Sequence, residues 1–199
     1  MRAMLPFVLV ILLSFSVQSY PTGVDDRGDN GCLCHGGSDE TTVVKLTGLP
    51  EKYNASQSYN ITIDIVSPVQ ESENQEDAKG GFRLLISDGS ILADGWQNLD
   101  DGYTHTSEIN KQRTWNATWI APSDDSKYVT FVLHGNAVNG NNESSGDEWN
   151  SESLAVPGIN FTGEVILEDV SHEVSNLFVA LSVTALITLC VLVFYVVRD

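Results

Sequence analysis

Two cysteines and a histidine stand together in Asn30-Gly31-Cys32-Leu33-Cys34-His35-Gly36-Gly37. Thiols and an imidazole at this spacing suit a metal or a haem. The spacing is one residue short of C-x-x-C-H, where two thioethers hold the porphyrin edge and the adjacent histidine ligates iron. Cys34-His35 keeps the second thiol and the ligand in register, and Cys32 is displaced by one residue. Gly31 gives the backbone freedom to compensate; attachment through Cys34 alone is the other route. Zn²⁺ or copper held by Cys32, Cys34, His35 and one further histidine is a second chemistry. A Cys32–Cys34 disulfide in a strained three-residue ring is a third. No cofactor at all is the fourth.

A sixth ligand to haem iron is restricted by composition. Both methionines, Met1 and Met4, lie in the first few residues, ahead of a predicted cleavage site. Bis-histidine or five-coordinate iron remains. The candidates are His105, His134, which ends a predicted strand, and His172, next to a predicted membrane span. No G-x-S-x-G, H-E-x-x-H or phosphate loop occurs, so an enzyme is not expected. Asp94, Asp100 and Asp101 form an acidic loop without EF-hand spacing, read as solvated rather than as a Ca²⁺ site.

The elements that must position this cluster lie between two apolar runs. Arg2 followed by an apolar stretch from Leu5 to Phe15 and Val17-Gln18-Ser19 reads as a signal peptide, 1–19. Leu177 to Val197 runs 21 residues without a charge before Arg198 and Asp199. At about 1.5 Å per residue this predicts one C-terminal transmembrane helix across a core of about 30 Å. The expected location is the cell membrane, single-pass, with residues 20–176 extracytoplasmic and Arg198 inside. Cys190 falls within that span and pairs with neither other cysteine.

The chain carries a formal charge of −17; without Arg2, Arg198 and Asp199 it holds 8 basic and 26 acidic residues, a net of −18. Such a surface repels phosphate backbones, which excludes nucleic acid as an expected partner, and it repels anionic headgroups. Partners are expected to be the membrane, through the single span, and a redox partner protein. Five N-x-[ST] sequons, at Asn54, Asn60, Asn116, Asn142 and Asn160, are glycosylation candidates on an exported glycoprotein.

Residues 20–40 are Gly/Asp-rich and predict an irregular segment lying on a domain, which spans 41–170; 171–176 is a linker. Strands are predicted at Thr41–Thr47, Ser58–Ser67, Phe82–Ser87, Arg113–Ile120, Lys127–His134 and Asn160–Val170. Ile61, Ile63 and Ile65 share one face, as do Trp115, Ala117 and Trp119. Asn60 and Asn116 fall on the polar faces. Ser87-Asp88-Gly89 and Asp100-Asp101-Gly102 are turns. Glu71–Lys79 and Gly135–Ser153 are read as loops. With no amphipathic helix, the expected class is all-β, a β-sandwich.

Gly80-Gly81-Phe82-Arg83-Leu84-Leu85, Tyr103-Thr104-His105-Thr106, Trp115-Asn116-Ala117-Thr118-Trp119-Ile120-Ala121-Pro122, Val129-Thr130-Phe131 and Gly135-Asn136-Ala137-Val138-Asn139-Gly140 follow in order. This order resembles the Reeler (reelin N-terminal) domain, and most of all the microbial Reeler-like choice-of-anchor surface proteins. The resemblance covers roughly residues 23–168. It implies an immunoglobulin-like sandwich, a c-type haem at the Cys-His segment and His105 near it. The family's first cysteine falls at Gly31; here it is Cys32. Together these features predict a membrane-anchored extracytoplasmic haem electron carrier. The alternatives are a cofactor-free glycosylated surface, adhesion or envelope module, or a Zn- or Cu-binding surface protein.

Overall fold

A computed structural model describes residues 20–167, 170 and 176–198. The predicted signal peptide, most of the linker and His172 lie outside the described residues. Two units are distinct, one of them residues 18–172. In that unit two 3-10 turns, Asp26–Gly28 and Leu33–His35, precede nine strands. These are β1 (Val43–Thr47), β2 (Ser58–Val66), β3 (Gly80–Ile86), β4 (Ser90–Leu92), β5 (Trp96–Leu99), β6 (Gly102–His105), β7 (Thr114–Ile120), β8 (Tyr128–Ala137) and β9 (Glu148–Pro157).

The strands form two antiparallel sheets, one in the order β1-β2-β7-β4 and one in the order β5-β6-β3-β8-β9. Alternation builds the layer between them. Ile61, Ile63 and Ile65 of β2 are buried, as are Trp115, Ala117 and Trp119 of β7, because side chains two apart share a face. Phe82, Leu84, Val129, Phe131 and Leu133 face them from the five-stranded sheet. Trp119 meets Tyr53 and Phe131 edge-on at 5.6 and 5.0 Å. Phe82 lies 5.0 Å from Trp115 and 4.4 Å from Trp96.

The seam between the sheets closes through carboxylates on β9. The Leu46 amide of edge strand β1 donates to Glu152 Oε2 at 2.6 Å. Glu148 Oε2 accepts from Thr42 and Ser67 at 2.9 and 3.2 Å. A free edge amide otherwise invites pairing with another chain.

Several predicted boundaries are corrected. Glu148–Pro157 is a ten-residue strand, and its first six residues fall in the segment read as loop. Its polar residues fit an edge strand, where hydrogen bonds to β8 hold the register and alternation is not required. The predicted strand Asn160–Val170 does not form: no strand covers its described residues, and Val165, Ile166 and Leu167 are exposed. β4, β5 and β6 are only three or four residues long and are masked in sequence by the turns joining them. Those turns are where predicted, with positive φ at Gly89, Asp100 and Asp101.

The second unit contains helix α1 (Asn176–Arg198), 23 residues long. Among the described residues no helix is long and apolar enough to cross a membrane.

Candidate functional site

The outer face of the five-stranded sheet carries one row of polar side chains across all five strands. Register places Gln97 opposite Thr104, Thr104 opposite Arg83, Arg83 opposite His134 and His134 opposite Ser151. Residues 21–36 run along this row and are held by it. Gln97 donates to the Thr22 carbonyl. The Val24 amide donates to Thr104 Oγ1 at 3.2 Å. Asn110, off the row, donates to the Pro21 carbonyl at 3.0 Å. His134 Nε2 meets the Asp29 carbonyl at 3.0 Å, and its Nδ1 meets Ser151 Oγ at 2.6 Å. An imidazole donating from Nε2 is free to accept at Nδ1, so both ring nitrogens of His134 are engaged.

Arg83 is the centre of the row and is fully buried. Its Nε pairs with Asp29 Oδ1 at 2.7 Å. Nη1 donates to the Leu99 and Val24 carbonyls at 2.5 and 3.3 Å, and Nη2 to the Asp100 carbonyl at 2.9 Å. Asp100 sits at φ 45, and its carbonyl accepts from this guanidinium. Gly102 is required beside it, because a Cβ there would strike the Arg83 side chain. Sequence reading passed over Arg83, although a lone arginine inside Phe82-Arg83-Leu84-Leu85 signals a buried charge needing a partner.

Farther along, the segment delivers the Cys-His cluster to the β8–β9 end. Trp149 Nε1 donates to the Gly36 carbonyl at 3.0 Å, and the Asp39 amide to the Trp149 carbonyl at 2.8 Å. His35 Nδ1 lies 2.9 Å from Asp147 Oδ2; the two side chains are 13% and 2% exposed. Asp147 is itself fixed by the Asn139 amide, 3.0 Å from Oδ1. A carboxylate on Nδ1–H sets the tautomer and leaves the Nε2 lone pair for a ligand. Gly36 and Gly37 border open space, where a Cβ would meet nothing within 4 Å.

The thiols differ. Cys34 is exposed and Cys32 half-buried, and both are free. Burial, reinforced by Cys34 close by, pushes the Cys32 thiol up to about 12. Cys32 therefore stays protonated at neutral pH and is a poor nucleophile. The ligand atoms of Cys32, Cys34 and His35 do not form a group within 4.8 Å; among the described residues only Asp25, Asp26 and Asp100 do. That acidic group contains neither Asp94 nor Asp101, and Asp25 is already paired to Arg27 at 2.6 Å.

His105 is placed differently from His35. Its ring fills the space a side chain at Gly81 would take, with a Cβ there 2.5 Å from Cε1. The Phe82 amide donates to its Nδ1 at 3.1 Å. The same Nδ1 lies 3.3 Å from the Phe82 carbonyl and from Thr104 Oγ1, so the sheet itself holds this ring nitrogen. Trp149, which holds Gly36, and Gly81, which backs His105, are separated by β8. Two strand spacings of about 4.8 Å put these anchor points roughly 10 Å apart, whereas two axial nitrogens on one metal lie about 4 Å apart. The structure brings Cys32, Cys34 and His35 to one edge of the sheet, whereas Nδ1 of His105 is engaged by the Phe82 backbone and both ring nitrogens of His134 by Ser151 and Asp29.

No protein-family model and no curated protein sequence matches this chain. Among solved structures it is similar to the human F-spondin Reeler domain, at 17% identity and a TM-score of 0.40, over 62% of this chain and 96% of that one. It is also similar to a conjugate transposon protein from Bacteroides vulgatus, at 12% identity and a TM-score of 0.39, over 70% of this chain and 94% of that one. The major subunit of type I aggregative adherence fimbriae from Escherichia coli matches at 10% identity and a TM-score of 0.35, over 60% and 95%.

Two outcomes are expected. Asp29→Ala strands the buried Arg83 charge and costs about 3–5 kcal/mol, far more than a half-exposed carboxylate ordinarily contributes; chemical denaturation measures it. A cost below about 1 kcal/mol contradicts the clamp. Separately, burial lowers the His105 pKa to about 4, below its unfolded value of about 6.5. A folded pKa depressed in this way gives stability that is full above about 6.5 and is lost as pH falls toward 4. The wild-type minus His105→Gln stability difference is expected to shrink by up to about 3 kcal/mol across that window, and a pH-independent difference contradicts it.

Proposed function

We propose that this chain is a membrane-anchored extracytoplasmic electron carrier on a Reeler-like, immunoglobulin-like sandwich, with a c-type haem held at Cys34-His35. One observation carries the reading: His35 is oriented by a carboxylate on Nδ1, with a free exposed thiol next to it and open space over Gly36 and Gly37. Bound haem supplies a one-electron couple. His35 Nε2 would hold the iron, Cys34 Sγ would form the thioether, and Asp147 positions the His35 ring. Cys32 is half-buried and out of register, so attachment is through one thioether. His105 serves the sheet and leaves the iron with a single histidine from this chain. The uncharged run of 21 residues from Leu177 to Val197 in the sequence is what supports the membrane anchor. A surface of net −18 favours a cationic redox partner protein.

A second reading, a cofactor-free surface module, is supported by the clamp itself. The bonds from Gln97, Thr104, Arg83 and His134 to residues 22–29 need no cofactor to order the segment.

Denaturing electrophoresis with haem staining separates the two. Matured with c-type haem machinery, the full chain is expected to retain stain. Cys34→Ser and His35→Ala abolish it, and Cys32→Ser does not. Absence of stain in the wild type, beside a C-x-x-C-H control that stains, selects the cofactor-free module.

A further inference from the structure

The two sheets bear different outer surfaces. One is covered by residues 21–36. On the outer face of the other, two sequons lie side by side. Antiparallel register pairs Asn60 with Thr118 and Thr62 with Asn116, so Asn60-Ile61-Thr62 and Asn116-Ala117-Thr118 are neighbours. Each threonine serves the other sequon's asparagine. Thr62 Oγ1 donates to Asn116 Oδ1 at 2.8 Å, and Thr118 Oγ1 to Asn60 Oδ1 at 3.2 Å. Both asparagines are exposed.

We propose that Asn60 and Asn116 are a paired N-glycan site that covers the outer face of the four-stranded sheet. The chemistry follows from which amide atom is in use. Glycan transfer from a lipid-linked oligosaccharide diphosphate forms a bond between Asn Nδ2 and the anomeric carbon. It breaks the anomeric carbon–oxygen bond to the diphosphate and releases one amide proton. Oδ1 is untouched and remains an acceptor. At Asn60 and Asn116 the fold uses Oδ1 and makes no hydrogen bond to Nδ2, so two glycans cost the sheet no bond. Two of the loop sequons differ: Asn54 Nδ2 donates to Gln57 at 3.0 Å, and Asn160 Nδ2 to Asp125 at 2.9 Å. Modification there gives up or rearranges a bond the fold already makes. Diagonal neighbours across two strands are about 7–8 Å apart, and the asparagine side chains point into solvent, so both glycans fit while standing against each other.

The site requires export, and to that extent it rests on the reading above. The test removes that dependence by expressing the full chain behind an added secretion leader in an N-glycosylating host. Site occupancy is read by mass spectrometry after enzymatic deglycosylation in heavy-oxygen water. Asn60 and Asn116 are both expected to be modified. Asn60→Gln and Asn116→Gln should each remove one glycan's worth of gel mobility, and the double variant both. A secreted chain bearing glycans only at Asn54, Asn142 or Asn160, or bearing none, overturns the proposal. Occupancy of one member alone overturns the pairing. Loss of haem binding in the same material leaves the glycan result unaffected, so the two claims fail separately.

Discussion

A guanidinium out of contact with water organises one half of this molecule. Burying Arg83 is tolerable only if its donors find acceptors. They find the Asp29 carboxylate and the carbonyls of Val24, Leu99 and Asp100. Two of these acceptors belong to the segment before the sandwich and two to the β5–β6 turn. The requirement of one side chain therefore joins an otherwise irregular segment to the sheet. It also fixes the turn geometry at Asp100 and Asp101 and demands a glycine at 102.

The Cys-His cluster depends on that clamp. Between Asp29 and His35 only five residues intervene, so the position of His35 is inherited from Asp29 and then refined by Trp149 and Asp147. Trp149 and Asp147 come from the start of β9 and the loop before it. A carboxylate buried beside an imidazole holds the ring in one tautomer and one orientation. The site is thus built in two stages, a coarse placement by the arginine clamp and a fine one by the β8–β9 end.

Much of the fold was legible in the sequence. The isoleucines of β2 and the tryptophans of β7 alternate strictly, because a strand buried on one face has to. Asp100-Asp101-Gly102 announced its turn through residues that tolerate positive φ. The edge strand β9 was not legible: Trp149 and Val156 are buried, but Asn150 to Ser153 between them are polar and held by backbone bonds. Of the site, Cys32, Cys34 and His35 were visible by spacing. Asp147 was not, since it lies 112 residues away in sequence from the histidine it orients. His105 has the residue type of a ligand. Its Nδ1 is instead occupied by the Phe82 amide, a backbone contact that no side-chain pattern reveals.

The central claim is that one histidine of this chain, His35, holds haem iron beside a single thioether. The most direct measurement is the absorption and electron paramagnetic resonance spectrum of the full chain, matured with c-type haem machinery and purified in detergent. The account predicts one haem per chain with a high-spin ferric signal that Asp147→Asn perturbs. A low-spin bis-histidine spectrum, lost in His105→Gln, would contradict the ligand set; a protein without a haem spectrum would contradict the carrier itself.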